Sequence, residues 1–535
     1  MTSKPKITRL DDRVSVSPQL ELEDVATLAK AGFKSIICNR PDDEDGEHPR
    51  SSAMAEAAAK AGLRFAYVPA IAGAITDQDG EEMAAALATL PTPALAYCRS
   101  GTRSTHLTKM TQPASSKKAV SSSRFNIVIV GGGTGGIATA ASILKRNKNI
   151  TLAIIDPAED HYYQPGWTMV GGGAFSAEFT HRKEKDLIPD RALWIKSAVT
   201  AFDPDHNFIH TADGQAIGYD VLIVCPGIKL DWEAIDGLPE TLGKNGVTSN
   251  YRFDLAPYTF RLVKGLTGGR ALFTQPPMPI KCAGAPQKAM YLSCSKWEKE
   301  GVLGNIDVQF HNAGAVLFGV KEYVPALMEY VERYNAHLNL ESRLVAVDGE
   351  ARIATFEQKH GEATKHVEVA FDMLHVVPPQ AAPDFIRSSP LAAENGYVDV
   401  DQATLRHTKY ANIFSLGDAC SAPNAKTMAA VRKQAPVVAV NALAALDGKP
   451  PVADYDGYGS CPLTVERGKV VLAEFGYGGK LLPSFPHWLI DGTRPSRLSW
   501  LLKDTILPPV YWHGMLKGRE WMVKPHRIGT EQDSA

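Results

Sequence analysis

The stretch "FNIVIVGGGTGGIATAASILKR", residues 125–146, decides the fold. Six mostly apolar, β-favouring residues form a strand, Gly131-x-Gly133-x-x-Gly136 follows at once, and "IATAASILKR" opens a helix. The glycines let the backbone turn tightly and approach a pyrophosphate, which sits on the positive N-terminus of that helix. A second strand, "ITLAIID", ends at Asp156, roughly 25 residues after the first glycine, where a carboxylate binds ribose hydroxyls. An acid rather than a base at that point disfavours a 2′-phosphate. Strand, glycines, helix and terminal acid together define a dinucleotide-binding βαβ unit, with Gly131, Gly133, Gly136 and Asp156 as its cofactor contacts.

Working outward, 535 residues correspond to three or four domains at about 150 residues each. Lys plus Arg number 57 and Asp plus Glu 59, a balance that gives no footing for nucleic acid or another polyanion. No run of about 18 apolar residues is present, so no spanning helix is expected. The start, "MTSKPKITRLDDRV", lacks the apolar core of a secretory signal. Seven cysteines without C-x-x-C pairs argue against a zinc ribbon or a disulfide scaffold and suit redox-active thiols. Residues 1–110 read as a small α/β domain: "LEDVATLAKAGF" has helical spacing, "KSIICNR" and "LRFAYVPA" are short strands, and "TDQDGEEMAAALATL" starts on an N-cap threonine. Residues 111–124, small, polar and aperiodic, read as a flexible linker. The β/α alternation that begins at Phe125 assigns 125–480 to an oxidoreductase body, and 481–535 changes to a Trp, Leu, Pro and basic tail.

"TLRHTKYANIFSLGDAC" places a strand before Gly417-Asp418. This resembles the second FAD signature of the flavoprotein disulfide reductase superfamily, which implies that Asp418 binds the ribityl chain. "YDVLIVCPGIKLDW", containing Gly227, resembles the strand and turn those proteins set beside FAD. Val199 and Lys426 complete the expected cofactor contacts, Lys426 as a charge that stabilises reduced flavin or a quinone carbonyl. Such enzymes usually carry a second glycine fingerprint for NAD(P)H. Here the equivalent strand, "RALFTQP", runs into "PMPIKCAGAPQKAMYL", so no nicotinamide site is expected.

Cys282 lies in "IKCAGAPQKAMYL" and Cys420 in "SLGDACSAPNAKTMAA". With "YYQPGWTMVGGG" (162–173) these stretches resemble sulfide:quinone oxidoreductases, particularly the two-cysteine type with mitochondrial members. The resemblance covers about residues 125–525. It implies a tandem Rossmann-type flavoprotein in which sulfide attacks a disulfide or trisulfide, one cysteine keeps a persulfide, and electrons pass through FAD to a membrane quinone. By that analogy Cys282 is the flavin-facing thiolate and Cys420 the persulfide carrier. Cys225 reads as packing near FAD, and Cys38, Cys294 and Cys461 as buried free thiols. A type II NADH:quinone oxidoreductase shares the scaffold but needs the absent glycine loop. A flavin-binding redox sensor or scaffold is the reading from another class.

A second chemistry sits upstream in "AYCRSGTRSTHL", residues 96–107. A strand leads into Cys98 and a loop that runs into a helix, with Arg103 as a planar fork, a setting that holds an oxyanion against a thiolate. The loop resembles those of rhodanese sulfurtransferases and cysteine phosphatases, and residues 5–110 resemble the phosphatase-like domain of beta-lactamase-hydrolase-like proteins. Tyrosine phosphatases use Cys-x5-Arg; Cys-x4-Arg and the sequence CRSGTR match rhodaneses better. Asp77 and Asp79 occupy the place of a phosphatase general acid but read as first-turn helix residues. The expected roles are sulfane-sulfur transfer or phosphatase-like chemistry, with a small thiol or sulfite as sulfur acceptor. In the tail, Trp488, Leu489, Trp500, Leu501, Leu502, Tyr511, Trp512 and Trp521 alternate with Arg and Lys, the pattern of a segment lying in a bilayer interface. The whole reads as an α/β fusion, bound peripherally to the cytoplasmic face of a bacterial inner membrane and able to form a homodimer.

Overall fold

The computed structural model describes residues 7–11, 13–44, 46, 48–71, 75–111, 123–361 and 363–528. The chain forms two compact units, Met1–Ser121 and Ser122–Ala535. The first is built on a five-stranded sheet of β1 (Thr8–Arg9), β2 (Val14–Ser17), β3 (Ser35–Cys38), β4 (Arg64–Tyr67) and β5 (Ala94–Tyr97), in the order β1-β2-β5-β3-β4. Only β1 runs antiparallel to its neighbour. Parallel strands need crossover connections, supplied by helices α1 (Asp24–Lys30), α2 (Ser51–Lys60) and α3 (Asp77–Thr89), and α4 (Thr102–Thr111) follows the last strand. α3 starts where the sequence places it: Thr76 caps it, and Asp79 returns the bond to the Thr76 N–H at 2.7 Å. That reciprocal cap commits the Asp79 carboxylate to the helix start. The central strand β5 is buried throughout and delivers Cys98 at the carboxyl edge of the sheet, where α/β folds bind ligands. Of the expected linker, residues 112–122 lie outside the described residues.

The second unit opens with β6 (Arg124–Val130), α5 (Thr134–Arg146) and β7 (Leu152–Ile155). It continues with β8 (Ala192–Ile195), β9 (Val199–Asp203), β10 (Phe208–Thr211) and β11 (Ala216–Val224). The sheet order is β8-β7-β6-β11-β10-β9. The last residues of β11 also pair in parallel with Ile413–Ser415, the strand that leads into Gly417-Asp418. Strands β6 and β7 read as unbroken apolar runs because both faces are covered. A second parallel sheet contains Val247–Thr248, Gly269–Gln275, Ile306–Asn312, His337–Leu340 and Met373–His375. From Gln275 the chain turns through Cys282 into α6 (Ala285–Glu300). A hairpin of Gly459–Glu466 and Lys469–Phe475 packs its Leu463, Val465, Val471 and Ala473 into one core with Ala289, Met290 and Cys294 of α6. The fold is therefore a tandem Rossmann-type body preceded by a small α/β unit. Among the described residues no helix is long and apolar enough to cross a membrane.

Candidate functional site

The glycine loop is shaped as the sequence predicts. Gly131 has φ of +107°, and a Cβ there would lie 2.6 Å from the Cys225 carbonyl oxygen. A Cβ on Gly136 would meet the Gly131 oxygen at 1.9 Å, so only glycine lets α5 pack this close to β6. Gly133 caps α5 without a side-chain hydrogen bond and has open space around its Cβ position. The helix N-terminus is thus left free for an anion, and the residues present fit a dinucleotide pyrophosphate. Asp156 accepts the Gly132 N–H at 2.5 Å and the Ala158 N–H at 2.7 Å, which fixes its carboxylate beside the loop. Val199 begins β9 as a buried residue, and Cys225 is buried with its sulfur 3.8 Å from the Gly131 carbonyl. Gly227 and Gly417 both take positive φ, and the Gly417 N–H donates to Gln434 Oε1 at 2.8 Å. Burial pushes the Asp418 carboxyl up, with Lys426 and Lys281 pulling against it. Lys426, expected beside the cofactor, lies at the same turn. Its ammonium donates to the backbone carbonyls of Asp418 (2.8 Å) and Cys420 (2.9 Å) and lies over the Tyr397 ring, so its charge staples the Gly-Asp turn.

Trp167 Nε1 and Gln380 Nε2, buried polar atoms of side chains beside the Cys282 loop, lack a protein partner. Gln380 Oε1 accepts the Lys281 N–H at 2.9 Å, Tyr251 donates to the Lys281 carbonyl at 3.0 Å, and the Lys281 ammonium stands over Trp167 and Tyr251. Unsatisfied buried donors and acceptors cost free energy unless a ligand meets them, and a planar heteroaromatic with polar edges does so. Burial brings the Lys281 ammonium down to about 8, against the pull of Asp418 and Cys282.

The thiols are where structure and sequence part. The structure brings Cys282 to Cys461, with 3.4 Å between the two sulfurs. Cys420 is fully buried; its thiol donates to the Gly417 carbonyl at 3.3 Å, and burial raises it. Its turn is joined to the Cys282 loop through Lys426, whose carbonyl accepts the Cys282 N–H at 2.8 Å and whose ammonium donates to the Cys420 carbonyl. Cys461, read from sequence as an unpartnered buried thiol, faces the redox position instead. Lys288, in the first turn of α6, donates to Cys282 at 3.2 Å and stands 3.7 Å from Cys461. The Cys461 thiol donating to it and the Lys288 ammonium hold the Cys282 thiol well below the ordinary range despite burial. Cys461 moves well upward because it donates to that thiolate, is buried, and faces its negative charge. The geometry lets the two sulfurs share one proton, with negative charge favoured on Cys282 beside Lys288. Lys503 adds a second buried amine, donating to the Pro462 carbonyl at 3.0 Å; burial and Lys288 depress it strongly. Cys282 itself takes φ of +50°, an uncommon left-handed position for a residue with a side chain and one that clusters at functional sites.

In the first unit Cys98 Sγ accepts the Gly101 N–H at 3.2 Å. Arg103, expected as an open fork, is already engaged: it donates to the Asn39 carbonyl (3.0 Å) and to Glu44 (2.6 Å), while Arg40 also pairs with Glu44. The guanidinium is buried, and a carboxylate satisfies the end that an oxyanion would use.

The tail separates into two faces. Trp488 is 83% exposed, and Leu489, Leu498, Leu501 and Ile506 are exposed with it. Trp500 and Leu502 are half-buried, and Trp521 is exposed. Tyr511 and Trp512, expected at a bilayer surface, are buried against Tyr163 and His161.

A tandem Rossmann body with a thiol pair in place of the second glycine loop defines a thiol-dependent dinucleotide oxidoreductase. The comparisons name the branch. The chain is 43% identical over 401 residues to the mitochondrial sulfide:quinone oxidoreductase of Dictyostelium discoideum, covering 74% of this chain and 87% of that protein. It is 39% identical to the mouse mitochondrial enzyme over 74% and 87%. The solved sulfide:quinone oxidoreductase of Aquifex aeolicus shares the fold, with a TM-score of 0.62 at 18% identity over 76% of this chain and 96% of that one. The chain belongs to the sulfide:quinone oxidoreductase family, a family of flavin-dependent oxidoreductases. Residues 7–115 match the family described as beta-lactamase hydrolase-like protein, phosphatase-like domain. The Xylella fastidiosa protein of that name is 37% identical over 98 residues, which are 23% of its length.

Proposed function

We propose that this protein oxidises sulfide at the Cys282–Cys461 pair and passes the electrons to a membrane quinone. The observation that carries this reading is the 3.4 Å approach of the two sulfurs under the Lys288 ammonium. In the oxidised pair the better leaving group is the sulfur with the lower pKa, here Cys282. Hydrosulfide therefore attacks the Cys461 sulfur. A new S–S bond forms on Cys461, the bond to Cys282 breaks, and its electron pair leaves on Cys282 as a thiolate that Lys288 neutralises. An acceptor thiolate or sulfite then takes the outer sulfur and leaves Cys461 as a thiolate. Closing the Cys282–Cys461 disulfide again releases two electrons. Gly131, Gly133, Gly136 and Asp156 on one side and Gly417 and Asp418 on the other would hold FAD, which would supply a two-electron acceptor between the thiol pair and the quinone. The exposed face around Trp488 and Leu489 supports peripheral docking on the membrane that holds the quinone.

For residues 1–110 the reading is sulfane-sulfur transfer at Cys98. The Glu44–Arg103 pair supports it, since a carboxylate at the fork opposes a dianionic phosphate more than a persulfide. Anaerobic sulfide added to the purified protein should bleach the flavin absorbance in one stoichiometric step. A flavin that stays oxidised under sulfide rejects this function.

A further inference from the structure

Beside the dinucleotide loop lies a buried polar chain that the thiol chemistry does not use. His161 and Glu184 are both almost completely buried, with His161 Nδ1 2.9 Å from Glu184 Oε2. His161 Nε2 is 2.6 Å from the Tyr511 hydroxyl, which is 2.8 Å from Thr134 Oγ1, the first residue of α5. One proton arrangement satisfies the whole chain: Thr134 donates to Tyr511, Tyr511 to His161 Nε2, and His161 Nδ1–H to Glu184. The other Glu184 oxygen, Oε1, is buried and has no partner. It lies 2.5 Å from where a Gly132 Cβ would stand, and the Asp156 side chain lies 3.0 Å from the same point. Two carboxyl groups therefore flank the middle glycine of the loop, one of them with a free acceptor.

The C-terminal segment sets this chain from outside. Beyond Tyr511, Glu520 accepts from Ser142 Oγ (2.7 Å) and from both ends of the Arg146 guanidinium (2.6 Å each). Lys145 donates to the Gly518 carbonyl at 3.2 Å. Gly518 runs so close to α5 that a Cβ would meet the Ala141 oxygen at 2.8 Å. The segment thus grips α5 at its first turn and its last.

We propose that Glu184 is a second nucleotide-binding carboxyl, accepting from an adenosine-ribose hydroxyl beside Asp156, and that Tyr511 of the C-terminal segment holds it in place through His161. A free carboxylate oxygen calls for a hydroxyl or N–H donor and repels a phosphate, so the ribose is the part of the dinucleotide with matching chemistry. Glu184 is then a binding residue, His161 and Tyr511 are positioning residues, and the tail is a strap on the cofactor as well as a docking surface. The inference rests on FAD being the dinucleotide.

The test titrates the apoprotein of the full chain with FAD and, separately, with FMN, which has no adenosine. Glu184→Gln and Tyr511→Phe should each weaken FAD binding about tenfold, the scale of one or two lost buried hydrogen bonds, and leave FMN binding unchanged. The double variant should bind FAD no worse than about the weaker single one, because both act through one contact. Unchanged FAD affinity in either single variant overturns the proposal. Equal losses for FAD and FMN overturn it as well, since that marks a general loosening of the fold. A wild-type chain that binds no FAD rejects the cofactor reading instead.

Discussion

Lys288→Met removes the buried cation beside the thiol pair while keeping a side chain of similar length. Lys288 Nζ is 3.2 Å from Cys282 Sγ; at an effective dielectric of about 20 that attraction is about 5 kcal/mol. The Cys461 donor, first among the causes that lower Cys282, remains in the variant. Part of the attraction also offsets the burial of the ammonium itself. The expected net change is a rise smaller than that attraction alone would give. The sign is fixed: losing the cation destabilises the thiolate, so the thiol holds its proton to higher pH. Cys282 is the one cysteine of the seven that is not buried, so iodoacetamide applied to the reduced protein reports on it. Wild type should alkylate at a rate nearly independent of pH through neutrality. The variant should gain a rising limb and fall up to about tenfold at pH 7. A variant whose pH profile overlays that of wild type refutes the ion-pair account of the thiolate.

Cys461→Ser should abolish sulfide-dependent quinone reduction with flavin still bound, whereas Cys420→Ser should keep most of it; stopped-flow and steady-state turnover separate the two, and the reverse pattern restores Cys420 as the sulfur carrier. NADH at micromolar concentration should leave the flavin oxidised, because the turn from Gln275 to Ala285 offers proline and Cys282 where a pyrophosphate needs glycine; rapid bleaching contradicts this. The double change Trp488→Ser and Leu489→Ser should weaken sedimentation with anionic liposomes about tenfold or more and leave sulfide bleaching of the flavin intact. Undiminished liposome binding would move the docking surface elsewhere.

The sequence made the first nucleotide site legible because its constraints are local. Gly136 and Asp156 are required by contacts within one βαβ unit, and the clash a Cβ would make at Gly136 with the Gly131 carbonyl restates the motif in atoms. The Thr76 cap was readable for the same reason. The thiol pair was not. Cys282 and Cys461 are 179 positions apart, and Cys461 sits in a hairpin strand whose sequence, "GSCPLTVE", carries no signature of chemistry. Cys420 is legible because it follows the Gly-Asp motif directly. One signal was available: a Cβ on Gly284, in the same "KCAGAP" turn, would stand 2.4 Å from Cys461 Sγ. A glycine just past a candidate cysteine, at a helix start, marks room left for another atom.

The tail was misread in an instructive way. Its aromatics were treated as one class, yet burial divides them: Trp488 faces outward while Tyr511 and Trp512 face the cofactor half of the body. Helical geometry makes the division. From Arg497 to Lys517 the chain is helical almost without interruption, and two wide turns, Leu502–Ile506 and Val510–Gly514, shift its register. Such turns are frequent at functional sites. Here they aim Lys503 at the Pro462 carbonyl next to Cys461, and Tyr511 at His161 and Thr134. One segment therefore touches the thiol pair, the dinucleotide helix and, through Trp488 to Ile506, the exposed apolar face. Deleting it would confound three losses, which is why only substitutions confined to one face can tell membrane contact from cofactor retention.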